Sequence, residues 1–154
     1  MRPPSLLFVC LGNICRSPLA EAAFRDAAAR AGLEALADSA ATGEWQIGNP
    51  PDPRSAAVAR RHGIDLAGKR ARRVRGDDFT RFDHILALDA ENLHDLHAMA
   101  PARSTARIAL LMDHVPGCAG QAVRDPYYGE AADFDAVWEQ VTRAADSLVA
   151  MLKA

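Results

Sequence analysis

Ser5-Leu6-Leu7-Phe8-Val9-Cys10-Leu11-Gly12-Asn13-Ile14-Cys15-Arg16-Ser17-Pro18 is the stretch from which the fold can be read. Leu6 to Val9 is an unbroken apolar run, which suits a strand buried on both faces of a parallel sheet. Gly12-Asn13 brings residues that tolerate positive φ, so a tight loop can follow that strand. Ser17-Pro18 predicts an N-cap with proline at the first helical position. A loop ending at a helix N-terminus gathers unpaired N–H groups and the positive end of the helix dipole, which together attract an anion. Cys10 stands at one edge of this loop and Arg16 at the other. An electropositive nest favours thiolate over thiol. A thiolate beside a bound anion and an arginine is equipped to attack phosphorus.

Cysteine, five residues and arginine make a weak signal alone. The apolar strand before it, the turn, Ser17 and the helix start supply the context that such a motif needs. The bland reading is a buried cysteine ending a core strand, with Arg16 a surface charge. A Walker-type nucleotide loop is excluded because no Gly-Lys-[Ser/Thr] follows. A zinc site is disfavoured: Cys10 and Cys15 lack ligand spacing, and no Cys or His pair comes after them.

Val9-Cys10-Leu11-Gly12-Asn13-Ile14-Cys15-Arg16-Ser17-Pro18 resembles the phosphate loop of the low-molecular-weight protein tyrosine phosphatases, and the likeness runs through nearly the whole chain. The rest of the sequence can be read beside it. With 154 residues, residues 1–154 suit one domain with a full core. Apolar residues at 49% and charged ones at 25% match ordinary globular proteins. A net charge of −2 calls for neither nucleic acid nor a membrane surface. There is no secretory leader pattern and no apolar run near a membrane span. Three cysteines, two of them in the loop, fit a reducing compartment better than a disulfide scaffold, so the expected location is cytoplasmic.

Pro18 to Ala31 has helical spacing of small and apolar residues, closed by Gly32. Leu36 to Ala41 reads as a strand containing Ser39, followed by an extended loop from Gly43 to Pro51. Trp45 in that loop is a core anchor or an exposed binding aromatic; its residue type alone favours the anchor. Asp52-Pro53 opens a second helix as cap and first residue, stopped by Gly63. Arg60 to Arg75 holds seven basic residues against the single acid Asp65. A solvated connector is the plainer reading of that run, and steering of an acidic phosphorylated partner the functional one. Phe82 to Leu88 reads as a third strand, Asp89 as the cap of a helix ended by Pro101, and Ala106 to Met112 as a fourth strand. Phe134, Val137, Trp138, Val141, Ala145, Leu148 and Leu152 mark one face of a long amphipathic helix, which places Trp138 in the core. His84, His94, His97 and His114 are scattered and form no triad or metal set. This order of elements predicts an α/β fold: a single-domain, three-layer, doubly wound sandwich with a four-stranded, mostly parallel sheet and helices on both faces. Ligands in such sheets bind at the carboxyl ends of the strands near the topological switch point.

Val123-Arg124-Asp125-Pro126-Tyr127-Tyr128-Gly129 is an Asp-Pro turn with packed aromatics if read alone. Beside Cys10 and Arg16 it resembles the family's acid loop. The resemblance implies phosphotyrosine monoester hydrolysis, with Cys10 as nucleophile, Arg16 as phosphate clamp and Asp125 as general acid and base. It implies phosphate binding by Leu11, Gly12, Asn13, Ile14, Cys15 and Ser17, with Ser17 hydrogen-bonded to Cys10 and Asn13 holding the loop through bonds that include Ser39. A rate optimum on the mildly acidic side follows, because a protonated Asp125 must coexist with a deprotonated Cys10. The same resemblance moves Trp45 to the cleft rim, so that Ile14, Leu11, Trp45, Tyr127 and Tyr128 wall the slot. It also suggests Asp89 as a brace for the active-site loops, and a reversible Cys10–Cys15 disulfide as a redox guard, Cys15 being otherwise a small loop filler. No metal or organic cofactor is implied. The expected partners are tyrosine-phosphorylated proteins and a tyrosine kinase, without nucleic acid or membrane, the chain acting as a monomer or weak dimer.

Two positions depart from the pattern. Lys69 stands where many relatives carry a histidine supporting the Asn–Ser network behind the loop, and Leu88 replaces a common methionine. Three other readings stay open. Arsenate reductases share fold and nucleophile but use a further cysteine pair, where only Cys118 remains here. Protein-arginine phosphatases usually carry threonine at the position of Ile14. A non-catalytic phosphotyrosine-binding module is the remaining possibility, opposed by the joint presence of Cys10, Arg16 and Asp125.

Overall fold

The computed structural model describes residues 2–154. Four strands, β1 (Ser5–Cys10), β2 (Leu36–Ala41), β3 (His84–Ala87) and β4 (Arg107–Leu110), form one sheet in the order β2-β1-β3-β4. Every neighbouring pair is parallel, so the sheet is wholly rather than mostly parallel. Five helices join them: α1 (Arg16–Arg30), α2 (Pro53–Arg61), α3 (Asp78–Arg81), α4 (Ala90–Met99) and α5 (Ala131–Lys153).

The side-chain alternation of β1 sorts the core into two layers. Leu6, Phe8 and Cys10 point to a cluster with Leu19, Ala23 and Phe24 of α1 and Val137, Val141 and Leu148 of α5. Leu7 and Val9 point the other way, to Phe79, Phe82, Ile85 and Leu96. With helices on both faces β1 has no solvated side, which is why its apolar run does not alternate with polar residues. Trp138 is only partly buried against this core, and its indole stacks on His62 at 4.8 Å.

Capping follows the expectation at three helix ends and departs from it at one. The Asp52 side chain accepts from Arg54 N and that of Asp89 from Asn92 N. Gly32, with φ 67°, ends α1 in a Schellman arrangement, Leu33 N bonding Ala28 O and Gly32 N bonding Ala29 O. Ser17, however, does not cap α1. That helix starts at Arg16 with Cys15 at the cap position and no side-chain cap bond. Pro18 falls at the third helical residue, still within the first turn, which is tolerated because first-turn amides have no helical partner. The Ser17 hydroxyl is used elsewhere. The fourth strand is shorter than the apolar run Ala106 to Met112 because its partner β3 ends at Ala87, paired with Leu110; the chain then turns into a 3-10 helix, Leu111–His114. The four-residue α3 is too short to leave a periodic signal.

The chain passes from β1 to β2 on one side and from β3 to β4 on the other. The switch point therefore lies between β1 and β3, where the loop after Cys10 and the residue after β3 diverge.

Candidate active site

The loop after β1 curls around the sulfur of Cys10. Asn13 takes the left-handed conformation, φ 58°, and its amide donates to Cys10 Sγ at 3.3 Å. Asparagine is among the few side chains that tolerate this geometry. Ser17 Oγ lies 3.1 Å from the same sulfur.

The direction of that contact can be worked out from the buried network behind it. Asn13 Oδ1 accepts from Arg72 N at 3.1 Å, which fixes the amide so that Nδ2 points to Ser17 Oγ at 2.8 Å and Ser39 Oγ at 3.0 Å. Ser39 Oγ donates its one proton to Glu21 Oε1 at 2.7 Å, since a carboxylate only accepts. Ser39 therefore receives from Asn13. Ser17 receives from Asn13 as well, which leaves its own proton for Cys10. The sulfur faces donors on both contacts.

Glu21 is 5% exposed and flanked by Lys69 at 2.6 Å and Arg25 at 2.8 Å. Lys69 also pairs with Asp38 at 3.1 Å. Burial pushes Asp38 up, but the Ser39 amide and the Lys69 and Arg72 charges outweigh it and hold the carboxyl below its ordinary range. The support behind the loop at Lys69 is thus present in another form, a lysine acting through Glu21. Asp38 at 3.0 Å and Asp78 at 3.0 Å likewise neutralise Arg72, so much of the basic run from Arg60 to Arg75 is internal pairing rather than a steering surface.

Arg16 is 2% exposed. Its Nη1 donates to Asp89 Oδ2 at 2.7 Å and to Val123 O at 2.8 Å, while Nη2 lies 3.7 Å from Asp125 Oδ2. Burial pulls this guanidinium down, but Cys10, Asp89 and Asp125 outweigh it, so its pKa is raised and the charge is secure. Asp89 is cap and brace together: one oxygen receives Asn92 N at 2.8 Å, the other Arg16. Burial, and then the charges of Asp52, Cys10 and Asp125, push the Cys15 thiol up to about 12, so this second loop cysteine stays protonated at neutral pH.

Cys10, Leu11, Gly12, Cys15, Arg16, Asp125, Tyr127 and Tyr128 line one cavity of about 150 Å³. Tyr127 and Tyr128 meet edge to face, centroids 4.9 Å apart. A larger cleft, about 740 Å³, opens behind the loop beside Glu21, Leu66 and Lys69, but no cysteine lines it. Two expected wall residues do not line the smaller cavity. Ile14 is buried in an apolar cluster with Cys15, Val58, Ala71 and Phe134, because the turn at Asn13 sends its side chain inward. It contributes main chain to the loop rather than a wall to the slot. Trp45 is 74% exposed, not a core anchor, and its ring lies over Gly43, where a Cβ would collide with it. Among the described residues no group of His, Cys, Asp and Glu could hold a metal ion, and no helix is long and apolar enough to cross a membrane.

Glu21 and Arg54 were not singled out from the sequence. Glu21 had a signal, lying one helical turn after Ser17 on the same face of α1. Arg54 had none for its reach to the acid loop, because Tyr127 and Gly129 come from the other end of the chain.

Residues 5–154 match the family described as low molecular weight phosphotyrosine protein phosphatase. The chain is 46% identical to the low molecular weight protein-tyrosine-phosphatase YfkJ of Bacillus subtilis, over 97% of this chain and 96% of that one. The crystal structure of YfkJ superposes with a TM-score of 0.91 at 44% identity, covering 99% of this chain and 96% of that chain. The human low molecular weight phosphotyrosine protein phosphatase is 44% identical over 90% of this chain and 89% of its own. An arginine phosphatase from Drosophila also shares the fold, with a TM-score of 0.91 at 30% identity over 97% and 98% of the two chains. By its phosphate loop and by similarity along nearly its whole length, this chain belongs to the low molecular weight phosphotyrosine protein phosphatase family.

Proposed function

We propose that this chain is a protein tyrosine phosphatase that hydrolyses phosphotyrosine monoesters through a cysteinyl-phosphate intermediate. The observation that carries this reading is the convergence of Cys10, Arg16 and Asp125, from opposite ends of the sequence, on one small cavity.

The phosphate dianion enters among the main-chain N–H groups between Leu11 and Ser17, with the Arg16 guanidinium forked onto its oxygens. The Cys10 thiolate attacks phosphorus in line. The S–P bond forms as the bond to the phenolic oxygen breaks, and Asp125 gives that oxygen its proton. Water then attacks phosphorus and passes a proton to Asp125, and the thiolate leaves against the Ser17 hydroxyl. Loop donors preset toward the oxygens that gain charge would need little reorganisation, and the Asn13 amide already points to the Cys10 sulfur. Leu11, Tyr127 and Tyr128 give the slot an apolar wall suited to an aromatic ring. Tyrosine-phosphorylated proteins are the partners this implies, and a thiolate-dependent site fits a reducing, cytoplasmic setting. Peroxide would convert Cys10 to a sulfenic acid, and displacement of its hydroxyl by Cys15, with loss of water, would store it as a disulfide that thiols reduce.

Initial rates on phosphotyrosine and phosphoarginine peptides test the reading. Turnover of the former, with little of the latter, is expected. Preference for phosphoarginine would move the chain to the activity for which the Drosophila neighbour is named.

A further inference from the structure

Arg54, in the N-terminal turn of α2, reaches across to the acid loop. One edge of its guanidinium grips Asp52, Nε on Oδ1 at 3.1 Å and Nη2 on Oδ2 at 2.9 Å. The same group donates to two main-chain carbonyls of the acid loop, Tyr127 O at 2.9 Å from Nη2 and Gly129 O at 3.2 Å from Nη1. Its plane lies over the Phe134 ring in the first turn of α5, 4.4 Å from the centroid.

Asp52 is in turn fastened to the phosphate loop. Its amide donates to Ile14 O at 2.8 Å, and Ser55 Oγ in the same first turn of α2 reaches Cys15 O at 3.4 Å. Burial raises the Asp52 carboxyl, but the Arg54 bonds outweigh it and leave it below the ordinary carboxylate range. The pair is therefore a charge-assisted hinge pin with geometry that only a fork of donors can satisfy.

The acid loop has two fixed points. Val123 is held by Leu88, through its amide, and by Arg16, through its carbonyl. Tyr127 and Gly129 are held by Arg54. Asp125 lies between these anchors, and its Oδ1 receives the Tyr127 amide at 3.1 Å. Arg54 holds the carbonyl of Tyr127 and Asp125 accepts from its amide, so the two bonds meet on one residue and a shift of Tyr127 carries the carboxyl with it.

We propose that Arg54 is a positioning residue for Asp125: it locks the acid loop to the phosphate loop so that the carboxyl sits over the leaving-group oxygen. The proposal rests on the phosphatase reading and on Asp125 as proton donor. It assigns Arg54 no contact with substrate.

Leaving-group dependence separates this role from a general structural one. Tyrosine and phenol, with pKa values of about 10, need a proton to depart, whereas p-nitrophenol leaves with far less help. The experiment measures kcat/KM for phenyl phosphate and p-nitrophenyl phosphate with the parent, Arg54→Ala, Arg54→Lys, Asp125→Asn and the double variant Arg54→Ala/Asp125→Asn. Small substrates keep any peptide contact out of the comparison. Arg54→Ala is expected to lose at least about tenfold more on phenyl phosphate than on p-nitrophenyl phosphate, a part of the 10²–10⁴-fold that a general acid supplies. Arg54→Lys, which keeps the charge without the fork, should resemble Arg54→Ala. In the Asp125→Asn background the Arg54 substitution should add under about twofold, because residues acting through one another are not additive. Equal losses on the two phosphates, or a full extra loss in the Asp125→Asn background, would overturn the proposal. Should Arg54→Ala fail to fold, Arg54→Gln, which keeps a stem over Phe134, takes its place in both comparisons. A parent that hydrolyses neither phosphate would instead refute the phosphatase reading, a distinct result.

Discussion

Cys10 is served by a line of side chains that ends in charge: Ser17, Asn13, Ser39, Glu21, Lys69. Its direction matters more than its length. Each member has one orientation consistent with the next, so the Ser17 proton is left for sulfur. A hydrogen bond to a charged group contributes about 1.5–3 kcal/mol, so Ser17→Ala should lower kcat/KM on phosphotyrosine by roughly ten- to a hundredfold. Lys69→Met should lower it less, because Arg25 remains on Glu21. Steady-state kinetics on the two variants check this, and equal rates in Ser17→Ala and parent would show that the hydroxyl does not serve the thiolate. Cys10, Arg16 and Asp125, which meet at one cavity, stand out in the sequence because they sit in short, spaced motifs. The Lys69 support could not. Its partners Glu21 and Asp38 meet it only after β2 is laid beside β1, and no local pattern announces that. Ile14 misled for a similar reason: whether a loop side chain points into a slot or into the core depends on a single φ angle at Asn13.

The helices and strands were readable where local signals were strong. Asp52-Pro53 and Asp89 cap as expected, and Gly32 stops α1. The start of α1 was misplaced because Ser17, a good capping residue by type, is drawn instead into the Cys10 network. At the other end of the sheet, the rings of His84 on β3 and His114 in the 3-10 turn meet edge to face, 6.3 Å apart. Burial lowers both pKa values from 6.5; the charges of His114 and Arg107 lower His84 further against Asp83, while Asp113 opposes the shift at His114. A histidine depressed in the folded state is protonated more readily when unfolded. The unfolded chain then binds more protons, so stability is complete above about pH 6.5 and falls as pH drops below it. Thermal unfolding should give a midpoint that falls between pH 7 and pH 5.5, with a smaller fall in His114→Gln. An unchanged pH dependence in that variant would contradict the assignment. Carboxylates such as Asp38 and Asp83, held below their ordinary range, add a separate loss only at more acidic pH.

At the scale of the whole molecule, the four-stranded, doubly wound arrangement followed from the order of elements and from a first strand with no polar side. That order already requires a crevice at the carboxyl ends of β1 and β3, and Cys10, Arg16 and Asp125 meet there. Arg16 ties the crevice together by binding Asp89 after β3 and Val123 at the start of the acid loop. The acid loop itself has no regular structure, so its position depends on Arg16 on one side and Arg54 on the other, long-range bonds that no sequence window contains. On the proposed mechanism, phosphate passes through the sulfur of Cys10. Acid quenching during phosphotyrosine-peptide turnover, followed by mass analysis of the intact chain and its peptides, measures this directly. One phosphoryl group is expected on the parent, located at Cys10, and neither adduct nor turnover in Cys10→Ala. Turnover that survives in Cys10→Ala, or a phosphoryl group found on another residue, would contradict it.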